Sequence, residues 1–142
     1  MAMKNIESFD KCVGYVFGEL YENFPICVSI NLKEFLQKNK HDVNEKEELI
    51  LSETLFWLRD NNFLVFTHPK EKDVSHFQEV RAFPQFSCVV LSAKGLDVLK
   101  KVPKSIREGK GIGEHIMEAV STGAKEQLST LVGVALSSAI GV

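Results

Sequence analysis

Four histidines, three cysteines and one glycine run are the residues of this chain whose types could do chemistry. Structural or catalytic zinc needs Cys and His at short, repeated spacings, and His41, His68, His76 and His115 have no such partners. A convergence of His68, His76 and Cys88 across a hairpin is the one metal arrangement worth naming, and loop histidines beside a core thiol are the simpler reading. Gly109-Lys-Gly-Ile-Gly113 has the composition of a phosphate cradle. It lacks the preceding strand and the Lys-Ser/Thr ending that make such loops bind nucleotide, so it reads as a linker. No Ser/His/Asp set and no carboxylate pair follows from the order of residues. The chain is therefore expected not to be an enzyme, and to carry no cofactor or metal.

Cys12, Cys27 and Cys88 are odd in number and widely spaced, which predicts buried free thiols in a reducing compartment rather than a disulfide framework. The opening Met-Ala-Met-Lys-Asn-Ile-Glu-Ser has no apolar run of the signal-peptide kind, and no stretch reaches the ~18 apolar residues of a membrane span. The expected location is the cytoplasm. With 142 residues, 44% hydrophobic and 25% charged, the composition is that of one globular domain. A net charge of −2 gives no overall attraction to nucleic acid or acidic lipid.

The elements that would position these residues follow from periodicity. Phe9, Cys12, Val13, Val16, Phe17, Leu20, Tyr21 and Phe24 fall on one helical face, opened by Ser8 and ended by Pro25. Gly14 and Gly18 on this helix suggest a groove for a closely packed second helix, or simple tolerance. Ile26–Ile30 reads as a short strand. Asn31 with Glu34, and Asn44 with Glu47, are Asn-type capping boxes for a second helix burying Leu32, Phe35 and Leu36, and for a third running to about Asp60. In the third, Leu51, Thr54, Leu55 and Leu58 line the inner side. Asn61-Asn62 end it before the strand Phe63–Thr67, whose return partner is Phe86–Leu91, with a further strand expected over Val74–Phe83. Ser92 caps a fourth helix that buries Leu96, Leu99 and Val102 and stops at Pro103.

The run Leu51-Ser-Glu-Thr-Leu-Phe-Trp-Leu-Arg-Asp-Asn-Asn-Phe-Leu-Val, followed by Leu91-Ser-Ala-Lys-Gly-Leu-Asp-Val-Leu, resembles the winged-helix superfamily over roughly residues 9–103. That resemblance implies an α+β winged helix-turn-helix, with three helices and a β-hairpin wing. Residues 1–104 would form that domain. Residues 105–142 would be a basic, glycine-rich hinge and an additional C-terminal amphipathic helix.

Winged-helix proteins typically lay the third helix in the DNA major groove, held by Lys and Arg on phosphates. Here the outward side of that helix carries Leu49, Glu53, Phe56, Trp57 and Asp60, and residues 45–62 hold two basic against five acidic residues. An acidic, aromatic face suits a protein partner better than a phosphate backbone. Residues 63–87 carry no net charge. One basic cluster exists: Lys94, Lys100, Lys101, Lys104, Arg107 and Lys110 oppose only Asp97 and Glu108. It reads as a solubilising helix end, or as a contact for DNA phosphates or an anionic surface.

From Gln127 to Val142 there is no charge, and Ile116, Val120, Leu128, Leu131, Ala135 and Ala139 recur at helical spacing. Such a stripe must fold back on the Leu49/Phe56/Trp57 side, pair with a second copy, or lie on a membrane. The favoured expectation is a non-catalytic interaction protein, homodimeric through this helix, with Leu49, Glu53, Phe56, Trp57, Ile116, Val120, Leu128, Leu131 and Ala135 at protein interfaces. The alternatives are a DNA-binding regulator using the wing and the Lys94–Lys110 cluster, and a peripheral membrane effector.

Overall fold

The computed structural model describes residues 4–67, 85–101 and 109–141. Among them it has six helices and one small antiparallel sheet, in the order α1 (Asn5–Asn23), β1 (Val28–Asn31), α2 (Leu32–Lys38), α3 (Glu45–Asp60), β2 (Leu64–Thr67), β3 (Gln85–Leu91), α4 (Ala93–Lys100), α5 (Ile112–Thr122) and α6 (Lys125–Gly141). The sheet order is β1-β3-β2, so the last strand is central. The expected strand over Val74–Phe83, and Val102 and Pro103, lie outside the described residues.

The first helix starts a turn earlier than its Ser8 signal. Lys4 is the N-cap, its amide donates to Glu7 Oε1 at 3.2 Å, and Ser8 is buried inside the helix. Asn31 and Asn44 do cap α2 and α3, accepting from the amides of Glu34 and Glu47 at 3.1 and 2.9 Å. Leu32, Phe35 and Leu36 are buried, as are Leu51, Thr54, Leu55 and Leu58. The core runs around α1, whose Cys12, Val13, Val16, Phe17 and Leu20 are enclosed by the leucines of α3 on one side and by α5 and α6 on the other. Phe86, Val89, Leu91 and Ile30 close it from the sheet.

The spacing of those inward residues explains an irregularity in β3. Strict alternation from Leu91 would turn Ser87 inward and Phe86 outward. Instead Phe86 pairs with Ile30 and Val89 with Val28, which leaves two residues of β3 opposite one of β1. The same happens against β2, between Thr67↔Ser87 and Val65↔Val90. Cys88 is the residue common to both bulges, and its φ is +52°. That left-handed bulge position is one that glycine normally fills, and an L side chain there costs about 1–2 kcal/mol.

Cys88 is bonded to Cys27, which corrects the expectation of three free thiols. Cys88 is exposed and Cys27 half-buried, and Cys12 is the buried free cysteine. With that pairing, the cysteines no longer point to a reducing compartment. No described helix is long and apolar enough to cross a membrane.

The two segments that carry the family resemblance meet at the start of α4. The Phe63 carbonyl, just beyond α3, accepts from the Ser92 amide at 3.0 Å, and the Ser92 hydroxyl donates to Asn62 O at 2.5 Å. The same hydroxyl accepts from the Gly95 amide at 3.1 Å, which is the cap expected of it. A Cβ on Gly95 would overlap the Phe63 carbonyl oxygen, so the Leu-Ser-x-x-Gly spacing is what lets α4 close over the end of α3. Leu99 is buried as expected, but Gly95 and Val98 share its face and Leu96 is only half-buried.

The tail departs most from expectation. It is two helices, not one, because Gly123 takes the left-handed conformation (φ +77°) and ends α5. Both helices pack on α1 at its glycines rather than on the Leu49/Phe56/Trp57 side. A Cβ on Gly14 would lie 2.8 Å from Leu128 Cδ2, and one on Gly18 would touch Ile116 and Val120. The groove suggested by Gly14 and Gly18 is therefore occupied from within the chain. Gly111 and Gly113, expected in a hinge, are buried too: Gly111 lies against the Leu99 and Lys100 carbonyls, and Gly113 against the Tyr21 ring.

Candidate functional site

The outer face of α3 is built by the same periodicity that buries its leucines. Trp57 is 41% exposed. Its indole rests edge-on against Phe9 of α1 at 5.3 Å and nearly parallel to Phe63 at 6.2 Å. Ile6, three residues before Phe9 on α1, is 62% exposed and extends the apolar strip. Glu53, one turn before Trp57, is exposed, as are Glu45 and Asp60, while Glu48 is half-buried. Leu49 and Phe56 are half-buried rather than fully outward. Phe56 packs edge-on against Phe66 at 5.6 Å and Phe86 at 5.3 Å, under the Arg59 guanidinium at 5.1 Å. It supports the face from below, and Trp57 is the aromatic ring presented on it.

Behind this helix lies a buried polar chain that sequence reading missed. The Tyr15 hydroxyl and His41 Nδ1 are 2.9 Å apart, His41 Nε2 and Glu47 Oε1 are 2.6 Å apart, and the Ser8 hydroxyl donates to Glu47 Oε2 at 3.2 Å. An ionised carboxylate only accepts, so a neutral His41 carries its proton on Nε2 and takes one from Tyr15 at Nδ1. His41 and Glu47 are 5% exposed and Ser8 is sealed, so no substrate reaches them. The chain instead fastens α1 to the turn that opens α3. The signals were present but assigned elsewhere: Ser8 as a helix start, Glu47 as a capping-box acid, His41 as one of several scattered histidines.

Burial raises the two acids nearest this chain. The Cys12 thiol is pushed up to about 12, chiefly by burial and further by the Glu47 carboxylate. The Tyr15 hydroxyl rises for the same first reason, with the charges of Cys12, Glu47 and Asp42 adding to it. An open cleft of about 380 Å³ lies above Tyr15, between α1, α2 and the α5–α6 turn. Two of its lysines are engaged within the chain. Lys38 pairs with Glu19 at 2.7 Å, and the Lys125 ammonium donates to Lys40 O at 2.7 Å while lying 5.4 Å from the Tyr15 ring centre.

The basic cluster is dispersed where it is described. Lys94 reaches back to Asn61 O at 3.1 Å and sits 4.8 Å from the Phe63 ring centre. Lys101 lies 3.9 Å from Asp97, and Lys110 pairs with Glu118 at 2.6 Å. That contact, mainly its hydrogen bond, holds the Glu118 carboxyl below its usual value. Lys100 is exposed, and Lys104 and Arg107 lie outside the described residues, as do His68 and His76. Among the described residues no three His, Cys, Asp or Glu are grouped to hold a metal ion.

Of the tail residues expected at an interface, Ile116, Leu128, Leu131 and Ala135 are buried within the chain and Val120 is half-buried. Ile116, Val120 and Leu128 meet α1 at Gly14 and Gly18, so these five residues form no free stripe. Compared with protein-family models, with curated proteins and with solved structures, the chain matches none.

Proposed function

We propose that this chain is a winged-helix interaction module that binds a basic, apolar-anchored segment of a partner protein on the outer face of α3. The winged-helix reading is supported by the order helix, strand, helix, helix and two antiparallel strands, and by the Ser92–Gly95 closure over α3. The functional reading rests on one observation. An exposed tryptophan stands on a helix whose other exposed groups are mostly acids. Tryptophan is the residue type most enriched among binding anchors, and acids around it repel phosphate while attracting Lys and Arg.

A second copy fits this face poorly, because an antiparallel two-fold contact centred on Trp57 would set Glu53 of one copy against Asp60 of the other, acid against acid. The tail gives a homodimer less to work with, since Ile116, Leu128, Leu131 and Ala135 are already buried within the chain. For DNA, the acids of α3 are unfavourable, and Lys101 and Lys110 already sit beside acidic partners.

Trp57 is the chain's one tryptophan and reports on its own surface. Titration with a synthetic Leu/Lys amphipathic helix should shift its emission to the blue and protect it from iodide. Trp57→Ala should weaken binding by about 2 kcal/mol, the scale of a hot-spot anchor, as read by calorimetry. Glu53→Lys should weaken it less and remove part of its salt dependence. If the peptide leaves the emission unchanged while duplex DNA binds in a manner lost on Lys100→Glu/Lys101→Glu, the DNA reading replaces this one.

A further inference from the structure

The Cys27–Cys88 bond sits apart from the α3 face, on the outer side of the sheet. β3 turns Phe86, Val89 and Leu91 toward the core, and Cys88 is exposed at the bulge between them. Three features of this bond set it apart from a buried staple. It joins two neighbouring strands, β1's approach and β3, which the ladder hydrogen bonds already hold together. Its Cys88 end is open to solvent. Its Cys88 backbone is held at a positive φ that cysteine rarely adopts, in the one place where both ladders are interrupted.

Cys88 is thus held on the face away from the core side chains of β3, at the residue where both ladders are interrupted. Exposed disulfides are the ones open to exchange, because a thiolate must approach a sulfur atom to attack it. Cys12 is the internal contrast: it is fully buried, unpaired, and its thiol is hard to ionise.

We propose that Cys27–Cys88 is a thiol-exchange site, opened and re-formed in the folded chain by a small thiol of the glutathione class. The thiolate of one such molecule attacks Cys88 Sγ and the Sγ–Sγ bond breaks. Cys27 leaves as a thiolate that takes a proton from water, and Cys88 carries a mixed disulfide. A second thiol molecule attacks that mixed disulfide, releasing Cys88 as a thiol and the small molecule as its disulfide. Two electrons pass from two thiols to the protein, and oxidised glutathione reverses the sequence.

The test equilibrates the native chain in graded ratios of reduced to oxidised glutathione, blocks free thiols with N-ethylmaleimide, and maps the label by mass spectrometry. Cys27 and Cys88 should be labelled together, with Cys12 slower by roughly 100-fold, while the far-UV circular dichroism stays unchanged. Cys27→Ser should collect a single glutathionyl group on Cys88. Cys88→Gly, which suits the left-handed position, should fold and melt cooperatively like the reduced wild type.

Four results overturn the proposal. The bond survives glutathione until a denaturant unfolds the chain. Cys12 is labelled as fast as the other two. Cys27 and Cys88 stay free thiols when the folded chain is equilibrated with excess oxidised glutathione. Cys88→Gly fails to fold, which makes the bond a structural staple.

Discussion

The groove side of α1 and the outer side of α3 are both helix surfaces with apolar content, yet the chain treats them in opposite ways. On α1, Gly14 and Gly18 remove side chains so that Leu128, Ile116 and Val120 come close to the backbone. On α3, a ring as large as Trp57 is left 41% exposed among acids. The lesson is that apolarity alone does not mark a surface for a partner. The uncharged tail is the more apolar stretch, and it is consumed by the chain's own core. The mixed face of α3, with a bulky ring and charged neighbours, is the one left open.

Removing the buried chain that ties the two helices together should have the largest effect. His41→Ala strands the Glu47 carboxylate beside the Ser8 hydroxyl, and should cost about 3–5 kcal/mol in urea unfolding. A loss under 1 kcal/mol would mean that the relay does not fasten α1 to α3.

Alkaline titration should come next. The Cys12 thiol rises from 9.0 to about 12 on folding, so its contribution is whole below pH 9 and is lost as pH climbs toward 12. That loss should be on the order of a few kcal/mol, with Tyr15 adding in the same direction. Cys12→Ala should flatten the part of the profile that begins near pH 9.

Gly14→Val tests the closed side directly. It should destabilise by roughly 2–3 kcal/mol, because its Cβ meets Leu128 before the extra methyls are counted. Trp57→Ala tests the open side and should change stability by about 1 kcal/mol or less, since the ring covers only part of Phe9 and Phe63. Equal losses at Gly14 and Trp57 would erase the contrast between a sealed seam and an available face.

Much of this arrangement was legible in the residues. Leucine periodicity oriented α3, Asn31, Asn44 and Ser92 gave their caps, and the Gly14–Gly18 spacing marked the groove. The errors share a cause, which is that one residue type serves two purposes. Glu47 fits a capping box, but its carboxylate turns to His41, six positions away, and to Ser8, 39 positions away, and no local pattern carries the second contact. The helical spacing from Ile116 to Ala139 runs straight across Gly123, but Gly in a left-handed turn ends helices. The β3 bulge was written in the 86, 89, 91 spacing of apolar residues, and with it the outward placement of Cys88. The bond to Cys27 needed the third dimension.

The dependence of α1 on α5 and α6 has a bearing on how the molecule is made. The partners of Gly14 and Gly18 emerge from synthesis about 100 residues after them, and non-local pairings of this kind form late. Until then the nascent chain leaves the face of α1 around Gly14, Gly18 and Tyr21 bare. For that interval the molecule is a natural client for chaperones, and any mutation that slows docking of the last two helices lengthens its exposure to aggregation.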